Sequence, residues 1–114
     1  ACVPSLHEGF SLPTVELMAT ATPLVVSRAG ALPEVVGPAG LCADLVTPGA
    51  VGQLAAALAA LLDDPARRER YGAAGRQRAE ERFGWGTVAE ATLAVYQEAV
   101  AGKVAQSRRT RADR

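Results

Sequence analysis

Residues 2 to 27 place two short apolar pieces, Cys2-Val3 and Leu24-Val25-Val26, on either side of a glycine-containing loop that turns into a helix. The order is strand, loop, helix, strand, and it constrains the fold more than any other feature of the chain. A strand that is apolar at successive positions is covered on both faces, as in a parallel sheet whose strands are joined by helices. In sheets of this kind anionic ligands sit outside the carboxyl end of a strand, against the amino end of the next helix, where backbone NH groups meet phosphate oxygens. The intervening run HEGFSLPTVELM carries two carboxylates, Glu8 and Glu16. A carboxylate does not help to bind phosphate, but it accepts hydrogen bonds from sugar hydroxyls. Loop amides beside two carboxylates therefore point to a ligand with phosphate and polyol parts, and a nucleotide-sugar fits.

The same local signals lay out the rest of the chain. Residues 2 to 6 read as a strand and 7 to 12 as a loop. Pro13 suits the first helical position, where its missing NH costs nothing, and the helix runs to about Ala21, ahead of Thr22-Pro23. Leu24 to Ser27 is a buried strand. Leu32 to Val36 forms a helical turn begun by Pro33, and Gly40 to Ala43 reads as a short strand. Val51 to Leu62 has apolar residues at helical spacing. Asp64 caps the next helix, which starts at Pro65 and runs to about Arg82. Gly72 and Gly75 weaken it by about 1 kcal/mol each relative to alanine unless close packing requires them. A last helix spans about Thr87 to Val100, with Val88, Thr92, Val95, Tyr96 and Ala99 on one face. There is no internal repeat.

A chain of 114 residues with no net formal charge is one small domain at most. The charge is uneven: Lys103, Arg108, Arg109, Arg111 and Arg114 make the tail basic, against Asp113 alone. Such a tail invites nucleic acid or anionic lipid, but without interleaved aromatics it reads as a solvated, disordered terminus. No apolar run is long enough to span a bilayer, and no signal peptide opens the sequence. Cys2 and Cys42 form no CxxC pair, which points to reduced thiols in a cytosol. His7 and two scattered thiols make no metal-ligand cluster, so neither a metal nor a cofactor is expected. Ala1-Cys2-Val3-Pro4-Ser5 reads as the end of a buried strand, as though the chain opened inside a domain.

Glu8-Gly9-Phe10-Ser11-Leu12-Pro13 with Glu16 resembles the E-x7-E motif of retaining glycosyltransferases of the GT-B fold. The likeness continues through Ala19, Thr22-Pro23-Leu24-Val25-Val26 and Ser27-Arg28-Ala29-Gly30-Ala31-Leu32-Pro33-Glu34-Val35-Val36, and more loosely to Phe83-Gly84-Trp85. The resemblance implies an α/β fold: a partial Rossmann-like, GT-B carboxyl-terminal domain with two to three parallel strands, helices, and a helical carboxyl-terminal half. It assigns residues 1–101 to a nucleotide-sugar-binding domain and 102–114 to the basic tail. It makes Glu16 the acceptor of hydrogen bonds from the two ribose hydroxyls of the donor. The residues alone also allow a favourable dipole interaction in the first helical turn, worth about 0.3–1 kcal/mol. By the same resemblance Glu8 reaches the donor sugar and is catalytic in the sense of positioning it; by itself it is also a solvated loop charge. Gly9, Phe10, Ser11 and Leu12 would offer backbone NH groups to the diphosphate and sugar, with Ser11 where the family often has a second glycine. His7 reads as a plain loop histidine, and Phe83 and Trp85 as anchors of the turn into the last helix. Where the family often has Ala-Cys-Gly-Thr-Pro this chain has Ala19-Thr20-Ala21-Thr22-Pro23. Where it often has a capping Asp this chain has Ala50.

The implied activity is transfer of a sugar from a nucleotide diphosphate donor to an acceptor hydroxyl, with retention of anomeric configuration, in the cytoplasm or peripherally at a membrane. The family supplies an Arg, a Lys and an amino-terminal acceptor domain from upstream of this region, so the chain by itself is expected to be inactive. Its partners are then a nucleotide diphosphate-sugar, an unassigned acceptor and the missing domain, with no nucleic acid. An unpaired strand edge leaves self-association of the isolated chain open. The alternative is a non-catalytic nucleotide-sugar-binding or protein-interaction module, in which the apolar face of the last helix is covered locally or by a partner.

Overall fold

The apolar run Leu24-Val25-Val26 becomes the middle strand of a parallel sheet. In the computed structural model the backbone is described for residues 1–112 and the side chains for residues 1–102. The elements follow as β1 (Cys2–Val3), α1 (Leu12–Ala19), β2 (Leu24–Ser27), α2 (Leu32–Val36), β3 (Ala43–Val46), α3 (Val51–Asp63), α4 (Pro65–Phe83) and α5 (Trp85–Ala112). The sheet order is β1-β2-β3. Both pairings are parallel, with Cys2 opposite Val25 and Leu24 opposite Ala43. The chain divides into two units, residues 1–81 and the segment from Arg82 on.

In the first unit every residue of β2 is buried, which is why that strand can be apolar throughout. Val25 joins Val46, Leu61 and Tyr71 in one cluster, with Leu54, Ala57 and Leu58 of α3 packed on it. Successive strand side chains face opposite ways, so Leu24 and Val26 serve the other face, and both are fully buried. Met18, Leu32, Val35 and Val36 complete the apolar interior.

Four boundaries differ from the sequence expectation, one of them α5, which spans Trp85–Ala112 instead of about Thr87 to Val100. β1 stops at Val3 instead of residue 6, because Pro4 has no NH for the ladder. β3 lies at Ala43–Val46 instead of Gly40–Ala43. The polar Asp44 breaks the apolar pattern there, and tertiary partners meet one of its oxygens: Oδ1 accepts from Tyr71 Oη at 2.9 Å and from Arg67 Nη2. α1 begins at Leu12, with Pro13 second, and ends at Ala19. Its end is a Schellman turn: the Ala21 and Thr22 amides donate to Met18 O and Leu17 O, both at 2.9 Å. Ala21 takes the left-handed position at φ 55°, where the resembling family carries glycine.

Helix α4 fits closely against this turn. A Cβ on Gly72 would stand 2.3 Å from the Ala21 carbonyl oxygen, whereas one on Gly75 would make only ordinary contact at 3.6 Å with Met18. Close packing thus explains Gly72 and leaves Gly75 a spare glycine. Asp64 caps α4 as expected, its Oδ1 accepting from the Arg67 amide at 2.9 Å. Ala50 gives α3 no side-chain cap, and Gln53 reaches back to accept from the Thr47 amide at 2.9 Å. Two arginines of α4 satisfy the ends of other helices. Arg78 donates to Val35 O and Glu34 O, both at 2.7 Å, and Arg68 donates to Leu61 O at 2.9 Å. These carbonyls are the orphans that every helix end leaves.

In the second unit α5 starts at Trp85 and is exposed from there to Gly102. Trp85 is 88 % exposed, so it does not anchor the turn. The expected apolar face of α5 is likewise uncovered, with Val95 and Tyr96 both exposed. The backbone of the tail expected to be disordered over 102–114 is helical as far as Ala112, as the end of α5; its side chains beyond Gly102 lie outside the described residues.

Candidate functional site

The loop between β1 and α1 leaves the carboxyl end of the sheet, where the sequence places its ligand groups. Its course is set by two neighbours. The Ser27 hydroxyl, 1 % exposed at the end of β2, donates to the Ser5 carbonyl just beyond Pro4. Farther along, the Ala31 amide donates to the Glu8 carbonyl at 3.0 Å. Gly30 lies against that same carbonyl: at φ 50°, a Cβ there would stand 1.9 Å from Glu8 O. No other residue fits that approach.

Glu8 is half-buried, and its Oε2 accepts from the Ser5 hydroxyl at 3.2 Å. Gly9 and Phe10 are exposed. Gly9 has a φ that any residue adopts, and open space surrounds its Cα, so its lack of a side chain is not required by the fold. Ser11 is the residue with unusual geometry, at φ 75° in the left-handed region, where the resembling family often has glycine. Its hydroxyl is buried against Thr14 Oγ1 at 2.7 Å, and its carbonyl accepts from the Thr14 amide at 3.0 Å. Among the described residues none accepts a hydrogen bond from the amides of Gly9, Ser11 or Leu12. These donors open onto the exposed amino end of α1, where the helix contributes partial positive charge.

Glu16 is the fifth residue of α1, and the first turn holds no acidic side chain. The dipole explanation for Glu16 weakens accordingly, since that effect falls off beyond the first turn. Glu16 shares the solvent face with Leu12, Pro13 and Thr20, while Thr14 and Met18 face inward. The Cα–Cβ bonds of a helix tilt toward its amino end, which aims Glu16 back along the face that carries the loop amides. Glu8, Gly9, Phe10, Ser11, Leu12 and Glu16 thus belong to one end of one β-loop-α unit, with Gly9, Phe10, Leu12 and Glu16 exposed, Glu8 half-buried and Ser11 buried. His7 is exposed beside them.

Sequence reasoning missed Ser5, Ser27 and Gly30. Gly30 opens Gly30-Ala31-Leu32-Pro33-Glu34, and its spacing to Pro33 and Glu34 was the available signal; the two serines gave none. A cleft of about 160 Å³ also opens at the carboxyl ends of β2 and β3, between Pro4, Ser27, Val46 and the start of α3, and no expected site residue lines it. Cys42 is buried with its Sγ donating to Val36 O at 3.0 Å. Burial raises its pKa against the opposing charge of Arg78, so it is a structural thiol rather than a nucleophile. No helix among the described residues is long and apolar enough to cross a membrane.

Similarity to known proteins agrees with this arrangement. Residues 1–78 match the family described as Glycosyl transferases group 1. The MMP alpha-(1->4)-mannosyltransferase of Mycolicibacterium hassiacum is 61 % identical over 101 residues, covering 89 % of this chain and 25 % of that protein. The D-inositol 3-phosphate glycosyltransferase of Kineococcus radiotolerans is 44 % identical over 113 residues, 91 % of this chain and 25 % of its own length. Among solved structures, the sucrose-phosphate synthase of Thermosynechococcus elongatus superposes with a TM-score of 0.80 at 35 % identity, over 89 % of this chain and 25 % of that one. Anabaena HepE, solved in complex with UDP, shares the fold at a TM-score of 0.75 and 24 % identity, over 81 % of this chain and 25 % of its own. The chain spans about a quarter of the length of the curated relatives it matches. With a parallel sheet, its loops and its helices matching the carboxyl-terminal domain of GT-B enzymes, the chain belongs to the group 1 glycosyl transferases.

Proposed function

We propose that this chain supplies the donor-binding side of a retaining glycosyltransferase, holding a nucleotide diphosphate-sugar for transfer to an acceptor hydroxyl. The observation that carries this is the set of unpartnered amides at Gly9, Ser11 and Leu12, flanked by the carboxylates of Glu8 and Glu16. The amides and the amino end of α1 meet the diphosphate. Glu16 accepts from the vicinal ribose hydroxyls with its two oxygens. Glu8 accepts from the donor sugar and holds its anomeric carbon in place for the incoming hydroxyl. Neither carboxylate moves a proton in this scheme. Charge developing on the leaving diphosphate needs cations, and these come from the remainder of the protein together with the acceptor site. Relatives named for mannosyl and inositol-phosphate glycosyl transfer support the reaction class.

The test is calorimetric titration of the whole protein with UDP-glucose and GDP-mannose as probes. Glu16→Ala should weaken the probe that binds by roughly 10- to 100-fold, the loss of charged hydrogen bonds, with an unchanged melting temperature. Equal affinity in the variant, or no binding of either probe by the unaltered protein, overturns the assignment. Purified residues 1–114 should show no sugar transfer to any acceptor.

A further inference from the structure

We propose that Ser5 and Gly30 are positioning residues for Glu8, setting one oxygen of its carboxylate so that the other meets the donor sugar. The proposal rests on the donor-site reading above. Glu8 sits on the β1–α1 loop, and a carboxylate that wanders among rotamers must be ordered when ligand binds, which costs side-chain entropy. Two restraints already act on it. The Ser5 hydroxyl donates to Oε2 at 3.2 Å. Among the described residues no hydrogen bond reaches Oε1, which leaves that oxygen to a ligand. At the other end of the residue the Ala31 amide holds the Glu8 carbonyl at 3.0 Å, in the space that Gly30 keeps open.

Both restraints lead back to rigid structure. Ser5 is fixed through its own carbonyl by the buried Ser27 hydroxyl at the end of the central strand. Ala31 is the residue from which α2 departs, and its carbonyl accepts from the Glu34 and Val35 amides at 3.0 Å each. A half-buried loop residue is thereby referenced to β2 and to α2. A loop that only connected β1 to α1 would need neither the hydroxyl on Oε2 nor the glycine behind its carbonyl.

The experiment is a double-mutant cycle in the whole protein, read as affinity for UDP-glucose and GDP-mannose and as melting temperature. Glu8→Gln should weaken the probe that binds. Ser5→Ala should weaken it by roughly 3- to 10-fold, in keeping with one hydrogen bond, and Ser5→Thr, which keeps the hydroxyl, should restore it. Gly30→Ala should weaken binding at least as much. In a Glu8→Ala background, which removes the acceptor, Ser5→Ala should add nothing, because Ser5 acts through the Glu8 side chain. A purely structural serine would lower the melting temperature and cause the same loss in both backgrounds, and that result overturns the proposal. So does full affinity in Ser5→Ala beside a weakened Glu8→Gln. Full affinity in Glu8→Gln, or no probe bound by the unaltered protein, overturns the donor-site reading and the positioning roles with it.

Discussion

The two ends of the sheet in the first unit are held by different means. Around the amino ends of the strands, long side chains of α4 do the fastening. Arg67 and Tyr71 converge on Asp44, Arg67 lies over the Tyr71 ring with its Cζ 5.2 Å from the centroid, and Arg78 takes the last carbonyls of α2. Around the carboxyl ends the fastening is short-range and mostly backbone: Ser27 to Ser5, Ala31 to Glu8, and a glycine between them. The first end satisfies its polar groups with one another, apart from the buried Oδ2 of Asp44, which has no partner among the described residues. The second leaves amides and carboxylates open. With the donor site proposed above, stability and ligand binding would be separated to opposite ends of the same strands, and mutations should sort accordingly.

The largest effect should come from wedging the amino end. Gly72→Ala sets a methyl group against the Ala21 carbonyl and should cost about 3 kcal/mol, while Gly75→Ala, with room around it, should be neutral or stabilising. Thermal unfolding checks the pair; equal melting temperatures for the two variants would remove close packing as the reason for Gly72. At the carboxyl end Glu16→Ala should give the opposite pattern, about 2 kcal/mol less donor affinity and no change in unfolding. A variant that loses both together would erase the separation of the two ends.

Tyr71→Phe should cost about 1 kcal/mol by removing a donor to Asp44. It should also alter the alkaline limb of stability. Burial is the main cause that raises the Tyr71 pKa above its ordinary value of 10.0, and burial likewise raises Cys42 above 9.0. A raised folded pKa means that the folded state keeps its proton longer than the unfolded chain. Stability from these groups is therefore complete below about pH 9 and declines as pH climbs through 9 to 10 and beyond. Urea midpoints between pH 7 and 11 should fall less steeply in Tyr71→Phe and in Cys42→Ala, and a parallel decline in all three proteins contradicts the assignment. The smallest effect is a gain. Ala21→Gly relieves a left-handed non-glycine residue and should add up to about 1 kcal/mol, so a loss of stability there would mean that the alanine methyl is packed rather than strained.

Self-association belongs to the comparison as well. We propose that residues 1–114 in isolation form dimers or larger species, because α5 leaves Trp85, Leu93, Val95, Tyr96 and Val100 exposed and apolar patches of that kind drive association. Sedimentation velocity that shows a monodisperse monomer would count against this.

What was legible in the sequence was local. The central strand followed from three consecutive apolar residues, the cap and start of α4 from Asp64-Pro65, and the candidate ligand groups from carboxylates spaced around a loop. Apolar spacing placed α3, and the Asp64-Pro65 start placed α4, each within a residue of its observed ends. Where the reading went astray, either a partner distant in sequence or a local backbone detail had decided the outcome. Asp44 fits inside β3 only because Arg67 and Tyr71 reach it across 23 and 27 residues. Glu16 stands beyond the first turn because Ser11, and not a later residue, takes the left-handed cap.

The sequence by itself determined the order of elements and the residue types available to a donor, since hydrophobic period, proline and glycine act within a few positions. Only the tertiary structure decided which glycines are indispensable, which arginines close which helices, and what holds Glu8. Gly72 meets Ala21, Arg78 meets Val35 and Gly30 meets Glu8. The physical reason is the same each time: a steric limit or an orphan carbonyl belongs to a pair of residues, and the pair exists only once the chain has brought them together.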